Sequence, residues 1–129
     1  MSWSLSKHEE EALLAAAGHL RYEYFVKKTC DEERLFSLWG DGWVLATDTA
    51  GNPLVPVWPH SAFAERCAVE AWKDCTPREI PVLDWLRSWT PELVTEGQSV
   101  AVFPISGDLG VLVDPQRLAV DLRAELAKY

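Results

Sequence analysis

The amino-acid sequence predicts an α+β fold, in which helices and strands occupy separate stretches of the chain. Apolar residues recur at three- and four-residue spacing near both ends of the 129-residue chain, as they do on amphipathic helices. The β-rich runs fall into two groups, around 35–58 and 99–113, and each group contains tight-turn residues. Groups of strands that are separated and flanked by helices are typical of the α+β class.

The first predicted element is a long amphipathic helix from Ser6 to about Thr29. Ser6 and Glu9 have the spacing of a capping box, and the acidic residues around Glu9 favour a helix N-terminus. Gly18 interrupts the pattern, so any bend in the helix is expected there.

A three-stranded antiparallel meander is predicted next, over 35–58. Asp41-Gly42 separates two β-rich runs, and this dipeptide in that position is a strong hairpin signal. A second turn leads into an extended run that includes Pro56 and is followed by Pro59, and these prolines restrict it to an edge strand or to a strand with an unpaired side. The predicted strands are 35–39, 43–47 and 54–58.

The middle of the chain is predicted to be mainly helical. Its segments are a helix at 61–73, a short extended run at 77–82, a helix at 83–89 and a helix at 90–97. Ser61 and Thr90 are the expected N-caps, Pro91 suits the first helical position, and Gly97 suits the C-terminal stop.

The last elements are a second β-hairpin and a C-terminal helix. The hairpin turns at 106–108, and Asp114 with Pro115 forms a helix start, with Asp as N-cap and Pro in the first turn. The inner face of this helix is predicted to carry Leu118, Leu122, Leu126 and Tyr129. The chain has neither a repeat nor a long linker, so 1–129 is predicted to be one domain, with helices packed on one mixed or antiparallel sheet.

Charge and cysteine content exclude several classes of function. The net charge is −8, from 20 acidic and 12 basic residues, which argues against nucleic acid and anionic membranes and favours a basic partner, if charge selects one. The three cysteines lack metal-ligand or redox spacing, so neither a metal nor another cofactor is predicted. Free thiols, a polar N-terminus and the absence of a membrane-length apolar run predict a cytoplasmic protein.

The most distinctive segment is the strand-to-helix corner Trp58-Pro59-His60. Pro59 forces Trp58 to be extended, and the chain then turns into a helix. His60 there is a candidate general base or ligand, or alternatively a helix cap. Since no second residue at predictable spacing completes a nucleophile–base pair, no catalytic residue is predicted.

Three tryptophans form a candidate binding surface. Trp39 and Trp43 flank the turn that contains Asp41, which places them close to cross-strand positions, and Trp58 ends the following strand. They are either core residues or an aromatic surface for a partner, because Trp is enriched in interface hot spots. The candidate binding residues are therefore Trp39, Asp41, Trp43, Trp58 and His60.

Several motifs in this order resemble a bacterial family of small proteins, domain-of-unknown-function family 2750. They are Arg21-Tyr22-Glu23-Tyr24-Phe25, Gly40-Asp41-Gly42-Trp43, Pro56-Val57-Trp58-Pro59-His60, Ala64-x-x-Cys67, Trp72, Ile80-Pro81, Val102-Phe103-Pro104 and Gly110-Val111-Leu112-Val113-Asp114-Pro115-x-x-Leu118. The resemblance implies one complete bacterial domain and transfers no catalytic residue. A weaker, topological likeness links the chain to SseB-type secretion-associated proteins.

The sequence favours a non-enzymatic module that binds another protein. It carries no complete catalytic set, while aromatic and acidic material is plentiful. One version is an inhibitor or immunity-type protein whose acidic surface covers a basic site. The other partner considered is a second copy of the chain, which would form a homo-oligomer. The alternative function is a small-molecule site or an enzyme built at the Trp58-Pro59-His60 corner.

Overall fold

The computed structural model describes residues 4–129, in which helices and strands alternate in groups. The helices are α1 (Lys7–Leu14), α2 (Gly18–Glu32), α3 (Ser61–Arg66), α4 (Val82–Asp84), α5 (Thr90–Glu96) and α6 (Pro115–Leu126). A 3₁₀ turn covers Glu70–Trp72, and a π-helical turn covers Trp85–Trp89 between α4 and α5. The strands are β1 (Arg34–Trp39), β2 (Ala46–Thr47), β3 (Pro53–Val57), β4 (Thr76–Pro81), β5 (Ser99–Val102) and β6 (Val111–Val113). The α+β class and the order of elements along the chain are confirmed.

The strands form two sheets that meet at one point. The larger sheet has the order β2-β3-β5-β6, with a parallel pair, β3 and β5, at its centre and antiparallel pairs at both sides. The smaller sheet is the antiparallel pair of β1 and β4. Phe36 and Trp58 exchange both main-chain hydrogen bonds, at 2.9 and 2.8 Å, so β1 lies beside the end of β3 in a single antiparallel bridge.

The pairing of β1 differs from the predicted meander. Its ladder is formed with β4, from Arg34 opposite Pro81 to Trp39 opposite Thr76, whereas β2 pairs with β3 alone. The Asp41-Gly42 hairpin is reduced to one bridge between Trp39 and Trp43. β4 contains two prolines and has a free edge on the side away from β1. β3, predicted to be an edge strand or to have an unpaired side, instead lies between β2 and β5, although β2 pairs with it only at Pro53 and Leu54.

The long N-terminal helix is in fact two helices. Ala17 is extended, with φ −66° and ψ 154°, and separates α1 from α2 at Gly18. The carbonyl of Ala16 accepts a hydrogen bond of 2.6 Å from Nη1 of Arg21, which replaces the helical partner that this carbonyl would otherwise have. The break is therefore stabilised by a side chain of α2 rather than by the glycine alone.

Other helix ends agree with the sequence in part. Asp114 caps α6 by accepting from the Gln116 amide at 2.8 Å, and Gly97 ends α5 with φ 68°, both as predicted. The helix predicted to run to residue 73 ends at Arg66. Four residues later the chain turns at Glu70, which has a left-handed backbone with φ 53°. Tyr129, predicted on the inner face of α6, is 68% exposed because α6 ends at Leu126.

The core lies between the larger sheet and the helices α2, α3 and α6. Its fully buried large side chains include Phe25, Leu35, Leu38, Val57, Trp58, Phe63, Trp85, Phe103, Leu118 and Leu122. In the described part of the chain, no helix is both long and apolar enough to cross a membrane.

Candidate functional site

The helical segment between β4 and β5 contains a widened turn, which positions two tryptophans. The amide and the hydroxyl of Thr90 both donate to the carbonyl of Trp85, the hydroxyl at 2.9 Å, so that the backbone bond spans five residues. Pro91 follows directly and lacks the amide hydrogen that would continue the α-helical ladder. The sequence had predicted that Thr90 and Pro91 start a new helix. In the structure they instead widen a turn within a continuous helical segment.

Four indole rings meet beside this turn, and we refer to Trp39, Trp43, Trp85 and Trp89 as the tryptophan cluster. The rings of Trp85 and Trp89 stack with 5.2 Å between centroids and an angle of 22°. Trp89 meets Trp43 edge-on at 4.8 Å, and Trp43 meets Trp39 edge-on at 5.1 Å. Trp85 is fully buried, whereas the other three are partly exposed, so the cluster extends from the core to the surface.

An open cleft of about 460 Å³ adjoins the cluster, a volume within the usual range of ligand sites. We call it the tryptophan cleft; it is lined by Trp43, Leu45, Val55, Ser88, Trp89, Glu92, Leu93, Glu96 and Gln98. Leu45 is 48% exposed at its margin. The cleft thus combines two indoles set at 76° to each other with an aliphatic side and a polar side.

The polar side of the cleft is acidic. Glu92 and Glu96 lie one helical turn apart on α5, and both are exposed. Within residues 4–129, neither forms an ion pair with a basic side chain. Two like charges at this spacing destabilise a helix by about 0.2–0.5 kcal/mol. A cation bound in the cleft would offset this repulsion.

The structure already places one cation against the tryptophan cluster. The guanidinium carbon of Arg78, on β4, lies 4.2 Å from the centroid of Trp39 and 5.8 Å from that of Trp43. Distances within about 6 Å are those of cation–π attraction. The cluster therefore has the electrostatic character to attract positively charged groups.

A second cleft, of about 730 Å³, lies on the other side of Leu45. It is bounded by the segment from Arg66 to Trp72 and by the β5–β6 connection. Val69 and Leu109 on its walls are 56% and 36% exposed. Together with Leu45, they make the surface beside the tryptophan cleft apolar, a property typical of interaction surfaces.

The five predicted binding residues are divided between different environments. Trp39 and Trp43 are in contact, as the sequence indicated, and Asp41 lies exposed in the turn between them. Trp58 is fully buried, and its Nε1 donates to the carbonyl of Pro104 at 2.9 Å. His60 caps α3, because its Nδ1 accepts from the amide of Ala62 at 3.0 Å. His60 is thus the helix cap that the sequence offered as an alternative to a catalytic or ligand-binding role. Ser61, the predicted N-cap, is instead the first residue of the helix.

Sequence reasoning missed the residues that complete the cleft. Trp89, Glu92 and Glu96 were treated as parts of two ordinary helices, and the contact of Arg78 with Trp39 depends on the unpredicted pairing of β1 with β4. One signal was available: Pro91 inside a continuous helical pattern indicates a distortion, and the residues ahead of such a distortion are often functional.

A separate polar centre surrounds Arg21, which is 1% exposed. Its Nε donates to the carbonyl of Phe103 at 3.2 Å, and its Nη2 pairs with Asp108 at 2.9 Å. The Gly110 amide and the Arg21 guanidinium both hold the pKa of Asp108 below its ordinary value. All three guanidinium nitrogens have acceptors inside the protein, so this centre serves the fold.

Two of the three cysteines are made less reactive by their surroundings. Burial, with the nearby carboxylates of Glu125 and Asp31, raises the pKa of Cys30 to about 11, and burial also raises the pKa of Cys67. A raised thiol pKa leaves less thiolate and so lowers reactivity. Within residues 4–129, His, Cys, Asp and Glu side chains form no group of three or more that could hold a metal ion.

Comparison with known proteins agrees with the motifs noted in the sequence. A family model described as "Protein of unknown function (DUF2750)" matches residues 22–122, and so covers both sheets and the tryptophan cleft. The comparisons with curated proteins and with solved structures gave no match, and nothing in them supports the likeness to SseB-type proteins. The matched region extends from within α2 into α6, and it leaves out α1, the first four residues of α2 and the last four residues of α6. The chain therefore belongs to the DUF2750 family.

Proposed function

We propose that this protein acts by binding, and that the tryptophan cleft receives a basic segment of another protein. The observation that supports the proposal is the conjunction of two indoles and two unpaired carboxylates around one cleft. Tryptophan is the residue most enriched at interface hot spots, because it buries a large area with few rotatable bonds. An apolar surface with an acidic side is complementary to a peptide that carries both apolar and basic side chains.

The overall charge favours a different protein over a second copy of this chain. Each copy carries a net charge of −8, so two copies repel, whereas a basic protein is attracted and its association is accelerated. An inhibitor or immunity-type role, in which the acidic cleft covers a basic site of the partner, is one form of this function. We place it in the cytoplasm, since free cysteines suit a reducing compartment.

The alternative site, at the Trp58-Pro59-His60 corner, receives less support from the geometry. Trp58 presents no exposed surface, and its only polar atom is bonded to Pro104. The Nδ1 atom of His60 is used to cap α3. Both side chains thus have structural roles that a ligand would disturb.

Affinity purification with a charge-reversal control tests the proposal. The double variant Glu92→Lys/Glu96→Lys is expected to lose a partner that the native protein retains, because the charge of the cleft is inverted. The control Glu11→Lys/Glu23→Lys changes the net charge by the same amount at exposed positions on α1 and α2, and is expected to retain it. Cross-links from the partner should map to residues that line the cleft. A partner retained equally by both variants would contradict the proposal.

A further inference from the structure

We infer that the group received by the tryptophan cleft is the guanidinium of an arginine side chain. The inference rests on the proposed function, and it specifies the chemistry that the cleft selects. It follows from the two kinds of surface that the cleft presents together, the indoles of Trp43 and Trp89 and the carboxylates of Glu92 and Glu96.

The indoles favour a cation that is planar and weakly hydrated. A guanidinium stacks on an aromatic ring and loses less hydration than an ammonium does when it leaves water. This protein uses the same contact internally, where Arg78 lies over Trp39 at 4.2 Å. The cleft offers two further indole surfaces of the same cluster, set at 76° to each other.

The combination of indoles and carboxylates distinguishes arginine from the other cations. A guanidinium has five N–H donors in a rigid fork, and so can stack and donate to carboxylates simultaneously. A lysine ammonium can donate but cannot stack as a plane, and a quaternary ammonium can contact the indoles but has no N–H to donate. Only the guanidinium and the lysine ammonium can donate to Glu92 and Glu96, and only the guanidinium can also stack on the indoles. Ser88 and Gln98 add further polar groups to the same side of the cleft.

A titration with small probes tests this selectivity directly. N-acetylarginine methylamide is compared with the corresponding citrulline and lysine derivatives and with tetramethylammonium, while the indole N–H signals of the native protein are followed by NMR. The arginine probe is expected to shift the Trp43 and Trp89 signals saturably. The uncharged citrulline probe, which has nearly the same shape, is expected to bind about tenfold more weakly or not at all.

Two variants locate the effect. Glu92→Gln/Glu96→Gln keeps the shape of the cleft and removes its charge, so the arginine probe should bind about tenfold more weakly. Glu11→Gln/Glu23→Gln removes the same charge elsewhere and should leave binding unchanged. Thermal unfolding of both variants verifies that the fold is retained. All four residues are exposed, and Glu11 and Glu23 lie away from the cleft.

The outcomes separate this inference from the proposed function. Equal binding of citrulline and arginine, binding of lysine or tetramethylammonium as tight as that of arginine, or the absence of binding by every probe would each overturn the arginine assignment. In each of these cases, the charge-reversal purification would still decide whether the cleft binds a protein. Loss of the partner in Glu92→Lys/Glu96→Lys without arginine selectivity would leave the proposed function standing and this inference refuted.

Discussion

Arg21 and Asp108 form an ion pair of 2.9 Å, although 87 residues separate them along the chain. The same guanidinium bonds the carbonyl of Ala16, where the two N-terminal helices separate, and that of Phe103, which follows β5 with a left-handed backbone at φ 60°. One side chain thus holds two irregular segments of backbone against each other.

Replacement of Arg21 by leucine is expected to destabilise the protein by about 3 kcal/mol or more, because two carbonyl oxygens lose a charged donor inside the protein. Urea denaturation gives the free energy of unfolding. Arg117→Leu serves as the control, since Arg117 is exposed and pairs with Asp121 on the same helix, and its loss is expected to cost less than about 0.5 kcal/mol. Similar losses in the two variants would contradict the role assigned to Arg21.

The pH dependence of Asp108→Asn should reveal the lowered pKa of this carboxylate. A group whose pKa is lower in the folded protein stabilises the fold above its unfolded pKa, and this contribution disappears as the pH falls through the folded value. The native protein should therefore be the more stable of the two at pH 7, and the difference should decrease below about pH 4. Urea midpoints measured from pH 7 to pH 3 test this, and a difference that persists or grows in acid would refute it.

Gly110→Ala is expected to be much more harmful than Gly51→Ala. Both glycines have left-handed backbones, with φ 80° and 85°, which cost a non-glycine residue about 1–2 kcal/mol. An added Cβ at Gly51 meets no atom within 4 Å, whereas at Gly110 it would lie 2.1 Å from the carbonyl oxygen of Val102. Gly110→Ala should thus cost a further 1–3 kcal/mol, roughly. Equal melting temperatures would show that the β5–β6 connection can shift without cost.

Trp58 and His60 flank Pro59 at one corner, but their replacement should have very different effects on stability. Trp58→Ala removes a fully buried indole and should cost about 3–5 kcal/mol. His60→Ala removes a helix cap and should cost about 1 kcal/mol, while His60→Asn, which retains a capping group, should cost only a few tenths, roughly. Urea titrations of the three variants test this order. Negligible losses for both alanine variants would indicate that the corner is a functional surface.

Local signals predicted the helix ends at Asp114 and Gly97 correctly, but they named the wrong N-caps at Ser61 and Thr90. Asp114 caps α6 and Gly97 ends α5 because a cap requires only its own side chain or backbone and the next turn. Gly18 indicated a bend at the position where α2 begins, but the complete break between α1 and α2 could not be predicted in the same way. It falls among alanines, which are the best helix formers, and it is stabilised by Arg21, whose guanidinium is held in place by the distant Phe103 and Asp108.

The strand partners and the cleft depended on long-range packing. Asp41-Gly42 does turn the chain, and Trp39 and Trp43 meet as expected, yet β4 supplies the ladder for β1. A turn signal predicts where the chain reverses direction, but it does not predict which later strand will pair with the edge of β1. For the same reason Trp39 and Trp43 were found from the sequence, while Trp89 and the two glutamates that complete the site were not.

The central position of β3 has a consequence for biosynthesis. β2 precedes β3 by a short turn, whereas its other neighbour, β5, begins only at Ser99. As the chain leaves the ribosome, one edge of β3 therefore remains unpaired until β5 has been synthesised. During this time Val55 and Val57, which are buried in the folded protein, can contact other nascent chains. Pro56 lies between these valines and offers no amide hydrogen to a foreign strand. Pro56 is therefore expected to limit aggregation of the unfinished chain.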